Sequence, residues 1–195
     1  KNMLKVENLS FLDVISGFSY EFMEGTVTLL VGGNGTGKTV FLKLILGLLN
    51  KTEGKIEYDN TLRFGALIED PEFFLWNSGY SNLQYLASIN KNFNKEKINE
   101  LLRYFSLYDD RNKIVKKYSL GMRKKLGIIQ AVMENQDIIL FDEPTNGLDK
   151  ESIEKFHDLV KKLKEEKKVI IIASHLDVDK TEYVDDIINF PINHA

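Results

Sequence analysis

The sequence predicts an α/β fold with a mostly parallel sheet, antiparallel strands at its N-terminal end and an inserted block of helices. Three observations predict it. Two early segments alternate apolar and polar residues, as half-buried antiparallel strands do. Later segments, "TVTLLV", "DIILFD" and "KVIIIA", are continuous apolar runs, the pattern of strands buried on both faces, and helical spacing separates them. Between residues 70 and 117 the strand pattern gives way to helices.

The elements follow in order. "MLKVENLSF" and "GFSYEF" form the antiparallel pair, and "TVTLLVG" the first buried strand. "KTVFLKLILGLL" sets Val40, Leu44 and Leu48 on one helix face with Phe41 and Ile45 beside them, and "NKTEG" ends that helix. A strand, a turn at Asp59 and Asn60, and the strand "TLRFGALI" come next. "NLQYLASI" and "KEKINELLRYFSL" show the apolar spacing of three to four residues that marks amphipathic helices. The helix "SLGMRKKLGIIQAVMEN" then leads to the strand "DIILFDE", the helix "KESIEKFHDLVKKLKEE", the strand "KVIIIAS" and a last strand near "DDIINF". Strands alternating with helices imply parallel pairing with both sheet faces covered. The Lys/Glu run over 161–168 reads as the solvated end of a helix.

Composition narrows the function classes. With 195 residues, 43% of them hydrophobic and 28% charged, the chain has ordinary globular usage and enough length for one well-buried domain. Lysine and arginine number 26 against 29 acids, a net charge of -3, which argues against a surface built mainly for nucleic acid. The absence of cysteine excludes disulfides and thiolate metal sites. No apolar run reaches the roughly 18 residues that span a bilayer, and the opening "KNMLKVENLS" lacks a signal-peptide core. The chain is therefore expected to be soluble by itself, with any membrane link made through a partner.

"GGNGTGKT", from Gly32 through Gly33, Asn34, Gly35, Thr36, Gly37 and Lys38 to Thr39, matches G-x-x-x-x-G-K-[ST] between a buried strand and a helix. Glycines let the backbone curl so that successive N–H groups face phosphate oxygens, and the helix start adds partial positive charge. Lys38 supplies an ammonium for the β- and γ-phosphates, and the Thr39 hydroxyl a ligand for Mg²⁺. The bland alternative is a glycine-rich connecting turn. In "IILFDEP" a buried strand ends in Asp142, suited to holding Mg²⁺ through its water shell. Glu143 follows at the tip, placed to orient or deprotonate an attacking water. Without the glycine loop, this pair would read as a capped strand end.

Cradle, helical insert, "YSLGM", "FDEPTNGLD" and "ASH", in this order, closely resemble the ATP-binding cassette (ABC) ATPases, and the resemblance covers essentially the whole chain. It implies a single P-loop NTPase (RecA-like) domain over 1–195, with a nucleotide-binding core at 1–69 and about 137–195 and a helical subdomain at about 70–136 ending in the signature helix. In that family the signature caps the γ-phosphate held by a second cassette, so Ser119, Leu120, Gly121 and Met122 look like trans-acting residues. A serine N-cap and a helix dipole facing an anion make this physically reasonable. A plain N-cap with "RKK" as a solvated first turn is the alternative. Asn146, Gly147, Leu148 and Asp149 match the D-loop, with Asp149 similar to the residue that crosses the dimer interface. His175 matches the switch histidine. His157 and His194 read as incidental. Phe11 stands where the family's A-loop aromatic stacks on adenine, although a strand-end phenylalanine equally reads as core.

Three positions depart from the family pattern. Leu120 and Met122 stand where its consensus has Gly and Gln, as in a subgroup resembling peptide-antibiotic and lantibiotic exporters. Glu69 stands in place of the Q-loop glutamine; it either ligates metal or only turns a strand. "PEFFLWN" packs Phe73, Phe74 and Trp76 together, either as core of the insert or as a groove for a membrane subunit's coupling helix.

The resemblance thus implies a transporter ATPase that uses ATP and Mg²⁺, pairs with a second ABC subunit (identical or a close paralogue) and with transmembrane permease subunits, and lies peripherally on the inner face of the cell membrane. No nucleic acid is expected. Two rivals remain: a soluble ABC ATPase acting on ribosomes or DNA, and an ATP-binding regulatory module that hydrolyses little.

Overall fold

The computed structural model describes residues 2–175 and 182–192. Strands β1 (Asn2–Phe11), β2 (Ile15–Met23) and β4 (Glu53–Tyr58) form an antiparallel sheet in the order β2-β1-β4. Strands β3 (Thr26–Val31), β5 (Phe64–Leu67), β6 (Ile138–Asp142), β7 (Val169–Ser174) and β8 (Asp186–Asn189) form a second sheet in the order β5-β6-β7-β3-β8, parallel at every pairing. The helices are α1 (Lys38–Ile45), α2 (Gly79–Ile89), α3 (Lys95–Tyr104), α4 (Leu120–Val132) and α5 (Lys150–Glu165).

The continuous apolar runs do what their composition requires. Every residue of β6 and β7 is buried, and alternate side chains enter different cores. Ile139, Phe141, Ile170 and Ile172 join a cluster with α4, α5 and the insert helices. Ile138, Leu140, Val169, Ile171 and Ala173 join a second cluster with α1 and the antiparallel strands. Each face thus gains a cover, and the strands' C-terminal ends are left at the edge where ligands settle in such folds.

One local expectation is corrected. The first helix stops at Ile45, and Leu48 is exposed instead of continuing its face. Gly47, at φ +74°, ends it: its N–H bonds the Leu44 carbonyl at 3.1 Å while the Leu48 N–H reaches back to Lys43 at 2.9 Å, a Schellman closure. The two strands expected around Asp59 are present, β4 joining the antiparallel sheet and β5 the parallel one. Between them the Asp59 carboxylate accepts from the Thr61 N–H at 2.8 Å and hydroxyl at 2.7 Å, fixing the turn.

Helix α4 crosses β5 closely. A Cβ on Gly65 would lie 1.8 Å from the Ala131 carbonyl oxygen, so only glycine admits the helix at that depth. One turn back, Gly127 lies against Leu67 and Pro71. The stripe Lys124, Gly127, Ile128 and Ala131 follows the i, i+3, i+4, i+7 pattern, is buried throughout, and carries the start of α4 past the C-terminal end of β5.

Candidate functional site

β3 delivers its chain to the sheet's C-terminal edge, where it turns through residues 32–37 into α1. Gly35 and Gly37 have φ of +78° and +103°, backbone positions that glycine alone takes without strain. The Thr36 hydroxyl donates to the Gly33 carbonyl at 2.6 Å. Lys38, only 6% exposed, donates its ammonium to the Gly33 carbonyl at 3.0 Å and to the Gly32 carbonyl. Its charge is thereby folded back over the loop whose N–H groups would meet phosphate.

Strand order then sets the opposite wall. The Thr39 hydroxyl donates to a carboxylate oxygen of Asp142 at 2.8 Å, joining residues 103 positions apart. Glu143, beyond the end of β6, adopts φ +48°, a left-handed conformation that costs on the order of 1 kcal/mol for a non-glycine residue. Its N–H bonds the Ala173 carbonyl at 2.9 Å, and its carboxylate meets Nδ1 of His175 at 2.9 Å. The histidine is carried there by β7, which pairs with β6.

The loop, Thr39, Asp142 and Glu143 line one cavity of about 530 Å³. Asn34 to Val40 line one side, and Glu69, Asp70, Leu120, Lys124, Asp142, Glu143 and Asn146 the other. Lys124 and Asp70 were not singled out from the sequence. Lys124, part of a solvated first turn only in the plain N-cap alternative, is 5% exposed and donates to the Glu143 carbonyl at 3.2 Å. Burial pushes its ammonium below the ordinary lysine range, opposed by the charges of Asp70, Asp142 and Glu143. The signal that would have found it is the α4 stripe, which puts Lys124 on the core-facing side.

Other expected residues fall into place differently. Phe11 packs against the cluster beneath the antiparallel sheet, and Val14, three residues later, lines the cavity instead. Glu69, at φ +56°, lines the cavity with its carboxylate 3.3 Å from the Lys43 ammonium, so an ion pair already engages it. Ser119 accepts from the Met122 N–H at 3.1 Å and caps α4; Ser119 and Leu120 are exposed, and Met122 packs on the core. The start of α4 abuts the 146–149 loop of the same chain, since a Cβ on Gly121 would lie 2.9 Å from the Gly147 carbonyl and one on Gly147 3.2 Å from Leu120. Asn146 donates its N–H to the Glu143 carbonyl at 3.3 Å, and Leu148 packs on the core. Asp149 caps α5 by accepting from the Ser152 N–H at 2.8 Å; bonds from the Ser152 hydroxyl and N–H hold its carboxyl below the usual range. His157 meets the Tyr183 hydroxyl at 2.6 Å. His194 lies outside the described residues.

The oxygens that Thr39 and Asp142 bring together suit a hard cation. Among the described residues no cluster of three or more His, Cys, Asp or Glu side chains forms a metal cage. That donor set fits Mg²⁺, which keeps several waters and takes one or two protein ligands beside phosphate.

A family model described as "ABC transporter" matches residues 15–146. The chain is 37% identical to the uncharacterised ABC transporter ATP-binding protein YhcH of Bacillus subtilis, over 90% of this chain and 61% of that one, so it spans less than two thirds of that relative's length. It is 30% identical to the lantibiotic transport ATP-binding protein SrtF of Streptococcus pyogenes, over 96% of this chain and 86% of that one. Among solved structures, the ATP-binding subunit of an ABC transporter superposes with a TM-score of 0.88 at 23% identity, covering 96% of this chain and 85% of the other, a likeness of fold.

Proposed function

Because this chain belongs to the ABC transporter family of ATP-binding proteins, we propose that it is the ATP-hydrolysing subunit of a transporter whose membrane-spanning parts are separate subunits. One observation carries the reading: a phosphate-type loop, the Thr39–Asp142 contact and Glu143, itself paired with His175, converge on one open cavity at the sheet's C-terminal edge. Family membership supports ATP as the substrate.

In this reading the loop's N–H groups and Lys38 hold the triphosphate, Lys38 leaving the Gly32 and Gly33 carbonyls to do so. Thr39 and Asp142 hold Mg²⁺, with Glu69 bordering the same space. A Mg²⁺ held there would supply positive charge to offset the charge that builds on the phosphate in hydrolysis. Glu143 takes a proton from water, and His175 steadies the carboxylate. Ser119 and Gly121, at the exposed start of α4, cap the nucleotide of a second ABC subunit, identical or closely related. Such pairing removes water from two nucleotides at once. Phosphate release should fall to background when divalent cations are chelated, and release that persisted in EDTA would remove Mg²⁺ from this account.

Membership also supports a transmembrane partner, and the residues after Asp70 offer a surface for it. No helix among the described residues is long and apolar enough to cross a membrane. Phe74, Leu75, Trp76 and Tyr85 are 53%, 44%, 70% and 49% exposed, which overturns a core reading of Phe74 and Trp76, whereas Phe73 packs inward. Phe74 meets Tyr85 edge-on at 5.2 Å, and the Lys116 ammonium sits 4.1 Å from the Trp76 ring centre. An apolar patch of this kind, on the segment 70–136 that ends in α4, would seat a membrane subunit's helix and place the chain on the inner membrane face. The relative named for lantibiotic transport supports a peptide antibiotic as cargo. Trp76→Ala is expected to cost about 0.5–1 kcal/mol of stability, the size of one exposed cation–π contact. It should nevertheless reduce recovery of the permease in pull-downs from detergent-solubilised membranes. Equal recovery would move the partner's seat elsewhere.

A further inference from the structure

Helix α4 places a lysine where an amphipathic helix ordinarily carries an apolar residue. Lys124 opens the buried stripe completed by Gly127, Ile128 and Ala131, and it is 5% exposed while its neighbours Arg123 and Lys125 are only partly covered. The packing of Ala131 over Gly65 and of Gly127 over Leu67 aligns the stripe with β5, so Lys124, nearest the helix start, falls beyond the strand's end, in the cavity beside Glu69 and Asp70. A buried ammonium needs partners. Its hydrogen bond goes to the main-chain carbonyl of Glu143, and the charges of Asp70, Asp142 and Glu143 attract it.

That carbonyl belongs to a residue in an unfavourable conformation. Glu143 sits at φ +48°, and the bonds fixing its backbone are its own N–H to Ala173, the weak 3.3 Å bond from the Asn146 N–H, and Lys124 at 3.2 Å. A charged donor makes the stronger type of bond, so Lys124 is the larger restraint on the carbonyl. The side chain of the same residue lies 2.9 Å from Nδ1 of His175.

We propose that Lys124 is a positioning residue for Glu143: by holding its main-chain carbonyl, it keeps the carboxylate aimed into the cavity and ties the helix opened by Ser119 to the hydrolytic centre. The proposal rests on the ATPase reading for its effect on turnover, while its geometric content stands apart from it. Since α4 carries both Ser119 and Lys124, any shift of the helix start changes the restraint on Glu143. The base is then correctly held only when α4 is in place.

Lys124→Met tests this, because it keeps the length of the side chain and removes its donor and charge. Removing one member of a buried charged set takes an attracting ammonium away from Asp70, Asp142 and Glu143 and is destabilising, so the melting temperature should fall, and the measurements are made at a temperature where the variant is folded. The first measurement is hydrogen–deuterium exchange without nucleotide. Exchange of the peptide covering 143–149 should rise about fivefold or more, with β6 and β7 unchanged. The second is steady-state hydrolysis, where kcat should fall about 10- to 100-fold while KM for ATP stays within about threefold. In a Glu143→Gln background the same change should lower the residual rate less than about twofold, because the group it positions is already gone.

Unchanged exchange over 143–149 overturns the proposal whether or not the chain hydrolyses ATP. An unchanged kcat in an active enzyme overturns it and leaves the ATPase reading intact. A KM that rises in step with the loss of turnover overturns it too, and makes Lys124 a phosphate ligand. If the wild type releases no phosphate, the ATPase reading fails and the exchange experiment still decides the restraint. Should Lys124→Met not fold, Lys124→Gln, which keeps a neutral donor, goes through the same measurements with smaller expected changes in the same directions.

Discussion

Glu143→Gln should leave the chain able to bind ATP and nearly unable to split it, with phosphate release lowered about 10²- to 10⁴-fold, the range a positioned general base supplies. The substitution keeps the shape of the side chain and its place 2.9 Å from His175 but removes the proton acceptor. Nucleotide affinity should stay within about threefold, because the groups assigned to the triphosphate, Lys38 and Thr39, are untouched. With hydrolysis blocked, the proposed two-chain complex should persist: the variant is expected to sediment as a dimer with ATP·Mg²⁺ and as a monomer without it. Protection of Ser119, exposed in the single chain, should rise only in the dimer. Hydrolysis at the wild-type rate would end the case for Glu143 as base. A nucleotide-loaded monomer at every concentration would end the case for Ser119 and Gly121 acting across an interface.

Gly65→Ala is expected to give the largest loss of stability among these variants. The added methyl would meet the Ala131 carbonyl at 1.8 Å, a contact between two backbones that no rotamer relieves. Overpacking of a tight core costs about 1–3 kcal/mol, and a backbone clash falls at or above the top of that range. For a domain of this size about 3 kcal/mol corresponds to a melting temperature lower by roughly 6–12 °C. Since α4 must lift from β5 to admit the methyl, turnover at permissive temperature should fall as well. Thermal unfolding by calorimetry reads the first effect and phosphate release the second. A melting temperature within 2 °C of wild type would mean that α4 yields more easily than its burial implies.

Legibility in the sequence followed locality. The phosphate loop is a contiguous string whose glycines, lysine and threonine each answer a local geometric need, so "GGNGTGKT" announced itself. The chain ends its first buried strand there, and the cavity forms around it. The acidic strand end and the serine cap of α4 were readable for the same reason, because strands and caps are set by neighbours in the chain. The end of α1 differs from the sequence expectation: Gly47 closes the helix through a left-handed turn, while the apolar string "LILGLL" carries the helical pattern past it. Phe74 and Trp76 stayed open between core and surface, since hydrophobicity does not state which face receives cover.

By itself, the chain determined its strand and helix periods, the parallel arrangement they imply, the phosphate loop and the acids at the end of β6. These depend on residues a few positions apart, where covalent geometry and side-chain spacing leave few choices. Tertiary structure alone decided that Thr39 meets Asp142 and that Glu143 meets His175. It likewise brought Val14 to the cavity wall, engaged Glu69 with Lys43, and buried Lys124 against Glu143. Those contacts arise from the order β5-β6-β7-β3 and from the depth at which Gly65 admits α4. Both are properties of how elements pack, and no window of neighbouring residues contains them.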